Sequence, residues 1–174
     1  MNGDPAVADQ AVTLMALYDR ALPQVYGYLL PRTGVAAVAE DLTAETFLAA
    51  VSAVQRGTVA DLTVAWLVGV ARHKLVDHWR RQAREERQLK AVEELVVPWD
   101  DPWDAHLDVA TARAVLEELG PHHRGALTLR YLDGLSVPEV AEALGRTVHA
   151  TEALLVRARA AFRRAYGEGT DDAC

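Results

Sequence analysis

Five arginines, Arg146, Arg157, Arg159, Arg163 and Arg164, stand against one acid, Glu152, across residues 146–164, for a local charge of about +4. Guanidinium groups at that density can neutralise phosphates. The stretch that carries them, SVPEVAEALGRTVHATEALLVRARAAFRR at 136–164, has the order of a helix-turn-helix. Ser136 and Glu139 have the S-x-x-E spacing of a capping box, which starts a helix by satisfying its unpaired N–H groups. Val140, Ala141 and Leu144 give that helix an apolar face, and Gly145 can take the positive φ of a sharp turn. Thr147 is a candidate N-cap for the second helix, whose buried side would be Val148, Leu154, Leu155 and Phe162. His149, Glu152 and Arg157 then fall on the outer side, where a helix in the major groove meets base edges. An ordinary helical hairpin is commoner in proteins at large. Cap, small residue, glycine turn and basic second helix, in that order, favour DNA.

A second basic segment precedes it. Across residues 72–90, Arg72, Lys74, Arg80, Arg81, Arg84, Arg87 and Lys90 face Asp77, Glu85 and Glu86, again about +4. Glu93, Glu94, Asp100, Asp101, Asp104 and Asp108 follow with no Lys or Arg among them. The formal charge of −7 therefore hides two basic segments separated by an acidic tether. Other chemistries find no residues to use. His122 and His123 are adjacent and cannot face one metal from one side of a helix, and no His or Cys pair has ligand spacing, so no metal is expected. No phosphate-binding loop, H-E-x-x-H or G-x-S-x-G is present, so neither an enzyme nor a cofactor is expected. The single Cys174 excludes an internal disulfide framework and suits a reducing cytoplasm. No apolar stretch is long enough to span a bilayer, and the first ten residues lack the features of a signal peptide.

The elements that must position these residues read as helices throughout. Apolar residues make up 51% of the 174, with Ala, Leu, Val, Glu and Arg prominent and β-branched runs scarce, so the fold class is all-α. Residues 7–88 predict three or four helices. Leu14, Leu17, Tyr18, Val25, Tyr26 and Leu29 recur at helical spacing, with Pro23 kinking or restarting the helix and Gly34 ending it. A second helix is expected over 36–54, with Val38, Leu42, Phe47, Leu48 and Val51 apolar and Glu40, Asp41 and Glu45 on another face. Asp61 is a candidate cap for a long third helix striped by Leu62, Trp66, Leu67, Val70, Leu75 and Trp79. Core packing is the favoured role of Trp66 and Trp79. Residues 91–109, with Pro98, Trp99, Pro102 and Trp103, read as a flexible acidic linker. The second domain, 110–174, begins with a helix to Leu119-Gly120. A helix opened by Pro121 and closed by Asp133-Gly134 follows, and then the helix-turn-helix.

On these residues the chain resembles an extracytoplasmic-function (ECF) sigma factor, the smallest type in the sigma-70 family. AEDLTAETFLAA at 39–50 is similar to the family's acidic helix that docks on the RNA polymerase β′ clamp. WLVGVARHKLVDHWRR at 66–81 resembles the helix beside the −10 element, and residues 116–164 resemble the domain that reads the −35 element. The resemblance implies a region 2-like domain at 1–90, the linker at 91–109 and a region 4-like domain at 110–174. It assigns Glu40, Asp41, Leu42, Glu45 and Phe47 to core polymerase, with Leu42 and Phe47 as apolar anchors or as core. It assigns Arg72, His73, Lys74, Arg80 and Arg81 to the −10 strand, and the loop at 55–63 to a flipped base. Arg146, Thr147, His149, Glu152 and Arg157 go to the −35 duplex.

Two departures stand out. Relatives often carry Asn where His73 stands. In the recognition helix Thr151 occupies a position usually filled by a β-branched apolar residue, and expected cations are missing around Glu152, which could accept from a cytosine amino group or be merely solvated. The partners implied are core RNA polymerase through its β′ clamp and β flap, promoter DNA, and an anti-sigma factor, in the cytoplasm and without membrane insertion. A stand-alone dimeric helix-turn-helix regulator is the alternative.

Overall fold

The computed structural model describes residues 5–89 and 108–171. Trp99, Trp103 and most of the expected linker lie outside them. The described residues form helices joined by short turns, with no strand among them. Packing divides the chain into two compact units, Met1–Leu75 and Val76–Cys174.

In the first unit, α1 (Pro5–Thr33) buries Leu14, Leu17, Ala21, Val25 and Leu29, a stripe at three- and four-residue steps. The helix runs unbroken through Pro23 and Pro31, which overturns a restart at Pro23. A proline inside a helix costs roughly 3 kcal/mol, and packing of Val25 and Leu29, both fully buried, offsets it. Gly34, at φ 70°, ends the element and donates to the Leu30 carbonyl at 3.0 Å. Helix α2 (Ala36–Gln55) packs on α1 through Ala39, Leu42, Thr43, Thr46, Ala50 and Val54. The Thr43 and Thr46 hydroxyls donate to the Ala39 and Leu42 carbonyls at 2.7 Å, so neither buried threonine is left unsatisfied. Leu48 and Val51, expected on the apolar face, are exposed; the small threonines take the buried positions instead. Helix α3 (Val64–Leu89) is not capped by Asp61 as the sequence suggested. Thr63 does this, its Oγ1 accepting from the Trp66 N–H at 3.1 Å. Leu67, Ala71 and Leu75 are fully buried, and Trp66 is half-buried.

The second unit opens with the rest of α3, where Val76, Trp79 and Ala83 are buried. Helix α4 (Val109–Glu118) is fastened at both ends. Asp108, expected to be part of the tether, is its N-cap, accepting from the Thr111 N–H and hydroxyl at 2.8 Å each. At the far end Arg124 donates to the carbonyls of Leu116, Glu117 and Leu119, which have no helical partner. Burial pulls the Arg124 pKa below its ordinary value, and the carboxylates of Glu117 and Glu86 pull it back. Helix α5 (Pro121–Leu127) continues as a wide π-helical turn, Thr128–Leu132, which Gly134 closes at φ 69°. Gly125 matters within α5 because a Cβ there would stand 3.0 Å from the Trp79 ring. Helices α6 (Val137–Leu144) and α7 (Val148–Asp171) complete the unit. Val115, Leu119, Leu127, Ala158 and Phe162 form its core.

Candidate nucleic-acid interface

The α6–α7 hairpin is built from the signals its sequence carries. The capping box forms, with the Ser136 N–H donating to the Glu139 carboxylate at 2.7 Å. Gly145 takes φ 63° and ψ 42°, and the N–H groups of Gly145 and Arg146 donate to the Glu142 and Ala141 carbonyls at 3.0 and 2.9 Å. That pair of bonds is the Schellman closure of a helix C-terminus. Thr147 caps α7, its Oγ1 accepting from the Ala150 N–H at 3.2 Å. Leu154, Leu155 and Phe162 are buried as expected. Thr151 is fully buried, its hydroxyl donating to the Thr147 carbonyl at 3.0 Å, so a threonine fills an apolar position without stranding its polar atom. Val148 is 44% exposed and not on the buried side, because the turn places it at the tip of the helix.

The outer face is unequal. The His149 side chain is 97% exposed and Glu152 is 59% exposed, with His149 Nδ1 4.0 Å from the Glu152 carboxylate. Thr147 is exposed although its oxygen serves as a cap. Arg146 is half-buried and its guanidinium lies 3.3 Å from His122 Nδ1. Arg157 is also half-buried, with its Nε out of reach of solvent, so it is not the freely outward side chain that the spacing predicted. Arg159 donates to the Tyr131 hydroxyl at 3.3 Å, tying α7 to the wide turn.

On α3, His73, Arg80 and Arg81 are exposed and Arg72 is half-buried. Lys74 pairs with Glu45 at 3.6 Å, and Arg80 with Asp77 at 3.8 Å. The second is a loose surface pair of little energetic weight. The loop at 56–63 is held from a distance: the Gln10 amide donates to the Val59 carbonyl at 2.6 Å. On α2, Glu40 and Asp41 are exposed and Glu45 is half-buried. Leu42 is 2% exposed and belongs to the core, which leaves Phe47 as the apolar member of the face. Phe47 packs on Tyr18 with ring centroids 4.9 Å apart, and both line an apolar groove of about 450 Å³ with Leu22, Tyr26 and Glu40. His122, Gln10 and Arg124 are positioning residues that sequence reasoning missed, because each acts on a backbone or side chain remote in sequence. For Arg124 a signal existed, an arginine just beyond the Gly120-Pro121 helix break.

A helix-turn-helix presenting a solvent-facing second helix, among described residues that are otherwise helical, has the form of a DNA-binding domain. Residues 17–85 match the family model for sigma-70 region 2, and residues 111–162 match that for sigma-70 region 4. The chain is 36% identical over 159 residues to the ECF RNA polymerase sigma factor BldN of Streptomyces coelicolor, covering 88% of this chain and 60% of that protein. It is 33% identical over 144 residues to the ECF RNA polymerase sigma factor SigL of Mycobacterium tuberculosis, covering 80% and 81%. In structure it is similar to the sigma factor RpoE of Bartonella quintana, solved in complex with the anti-sigma factor NepR. That match has a TM-score of 0.52 and 20% identity, and covers 87% of this chain and 94% of the other. The chain belongs to the ECF sigma factors of the sigma-70 family. Two sigma-70 regions in family order disfavour the stand-alone dimeric regulator. No helix among the described residues is long and apolar enough to cross a membrane.

Proposed function

We propose that this chain joins core RNA polymerase and directs it to particular promoters. Residues 1–90 meet the β′ clamp and the melted −10 strand, residues 108–174 meet the β flap and the −35 duplex, and the acidic segment ahead of Asp108 tethers them. Glu40 and Asp41 face a basic clamp surface, with Phe47 as the apolar contact. Glu45 exchanges its Lys74 partner for a clamp cation. Arg72, His73, Lys74, Arg80 and Arg81 follow the −10 strand, and the loop at 56–63 takes an unpaired base. At the −35 element His149 and Glu152 reach base edges, while Arg146, Thr147 and Arg157 hold phosphates. Chemistry belongs to the polymerase, and the chain contributes no catalytic step of its own. It works in the cytoplasm, restrained by an anti-sigma factor.

The observation that carries this reading is the doubly capped α6–α7 hairpin with His149 and Glu152 in solvent in the first turns of α7. Co-purification with core polymerase, followed by run-off transcription, tests it. The chain should bind core polymerase tightly and give a discrete transcript that core polymerase alone does not give. Tight promoter binding without polymerase, and no transcript with it, would contradict the proposal.

A further inference from the structure

A pocket of about 300 Å³ inside the second unit is lined by three arginines and a histidine, Arg80 and Arg84 of α3, His122 of α5 and Arg146 of the α6–α7 turn. Trp79 and Leu144 supply apolar wall, and none of the described residues lining it is acidic. Several observations indicate that the side chains are placed there by the fold. Arg84 Nε donates to the Arg80 carbonyl at 3.2 Å, fixing one guanidinium along α3. The Arg146 guanidinium is 3.3 Å from His122 Nδ1, which ties the α6–α7 turn to α5. Gly145, left-handed at φ 63°, has no Cβ where one would stand 2.6 Å from an Arg80 guanidinium nitrogen, so this glycine both turns the chain and admits Arg80.

Three guanidiniums converge on one concavity, and Arg80 meets Asp77 there only in a loose pair at 3.8 Å. Guanidinium forks match the oxygens of a phosphate, which accepts from several at once, better than a single carboxylate does. The volume is that of a small-ligand site and not of a bare ion.

We infer that the Arg80–Arg84–His122–Arg146 pocket binds a small phosphorylated ligand, a diphosphate or a nucleoside diphosphate, and that its occupant competes with promoter DNA for Arg80 and Arg146. The existence of the site does not depend on the proposed function; the competition does. Calorimetric titration of the full chain with inorganic pyrophosphate, in metal-free buffer at fixed ionic strength, tests the site. ADP is the parallel arm, sulfate the control and Arg84→Gln the variant. Arg84 is exposed and outside the promoter-contact set, so the variant should keep the wild-type circular dichroism spectrum and run-off activity. Wild type should show one saturable site, weakened roughly tenfold or more in Arg84→Gln, the loss expected for a charged hydrogen bond. Tighter binding of ADP than of pyrophosphate identifies a nucleotide ligand, and the reverse an inorganic one; either supports the site. Pyrophosphate should weaken binding of a −35 duplex to wild type, and Arg84→Gln should need roughly tenfold more of it for the same effect. Equal, non-saturating heats for wild type, Arg84→Gln and sulfate would overturn the inference. A saturable pyrophosphate isotherm in a chain that supports no run-off transcript would sink the promoter reading and leave the site standing.

Discussion

Helix α1 and the α6–α7 hairpin settle whether a helix continues or stops by different means, although a left-handed glycine, Gly34 or Gly145, closes α1 and α6 alike. The hairpin is governed by local chemistry: Ser136 and Glu139 open α6, Gly145 closes it and Thr147 opens α7, each through a bond to a backbone group within five residues. Helix α1 overrides the local signals of Pro23 and Pro31 and runs on to Gly34, because its buried stripe outweighs them. Boundaries set by caps put a turn where a functional helix must point its first residues at a ligand. Continuation enforced by packing makes a scaffold that tolerates poor helix formers.

The largest effect expected from this contrast is in the scaffold. Leu29→Ala should cost about 2–5 kcal/mol in chemical denaturation of the full chain, because Leu29 is fully buried. Leu48→Ala should stay within about 0.5 kcal/mol, since Leu48 is 67% exposed. Comparable losses at the two positions would break the packing account of α1 and α2. Next, Pro23→Ala should stabilise the chain by about 1–3 kcal/mol, measured the same way. No gain would mean that the proline is accommodated without strain.

In the hairpin the changes should be smaller and local. Gly145→Ala forces a left-handed alanine against Arg80 and should cost about 1–2 kcal/mol, with faster amide exchange concentrated in α6 and the start of α7. Ser136→Ala should cost about 1 kcal/mol through loss of the cap. Uniform acceleration across α1 as well would show that the hairpin is not locally governed. On the α2 face proposed for the clamp, Glu40→Lys with Asp41→Lys should leave the fold intact, both positions being exposed, and weaken binding to core polymerase in a salt-dependent way. Unchanged affinity would remove this face from the interface.

The smallest expected effect is at Asp108. Its hydrogen bonds to the Thr111 N–H and hydroxyl lower its pKa below the ordinary carboxylate value. A group depressed in the folded state contributes stability above its unfolded pKa and loses it as pH falls through the folded value. Acid titration should therefore unwind the start of α4 earlier than the helix centre, and Asp108→Asn should flatten that pH dependence. An identical acid profile in the variant would show that the cap contributes nothing.

The same contrast explains what could be read from residues alone. Helix class, the order of elements and the caps and turn of the hairpin were legible, because capping spacings and a left-handed glycine act within one turn of the chain. Misreadings fell mostly where distant packing decides, and once between two nearby cap candidates. A restart at Pro23 did not occur, Asp61 looked like a cap although Thr63 holds the Trp66 N–H, and Leu48 looked buried. Within the candidate site, His149 and Glu152 were placed correctly by periodicity, whereas Val148 faces solvent and the Nε of Arg157 faces inward. The Arg146–His122 contact joins residues 24 apart, and no local pattern announces it.

The most direct test of the account is run-off transcription by reconstituted holoenzyme from a library randomised across the −35 element, comparing wild type with Glu152→Ala. Glu152 stands 59% exposed in the first turns of α7, where a carboxylate is repelled by phosphates unless it accepts from a base. The wild-type chain should select a defined −35 sequence. Glu152→Ala should lose roughly 1–3 kcal/mol of discrimination at one position while binding non-specific duplex more tightly. A variant that keeps the wild-type preference at every position would contradict the assignment of α7 as the helix that reads bases through Glu152.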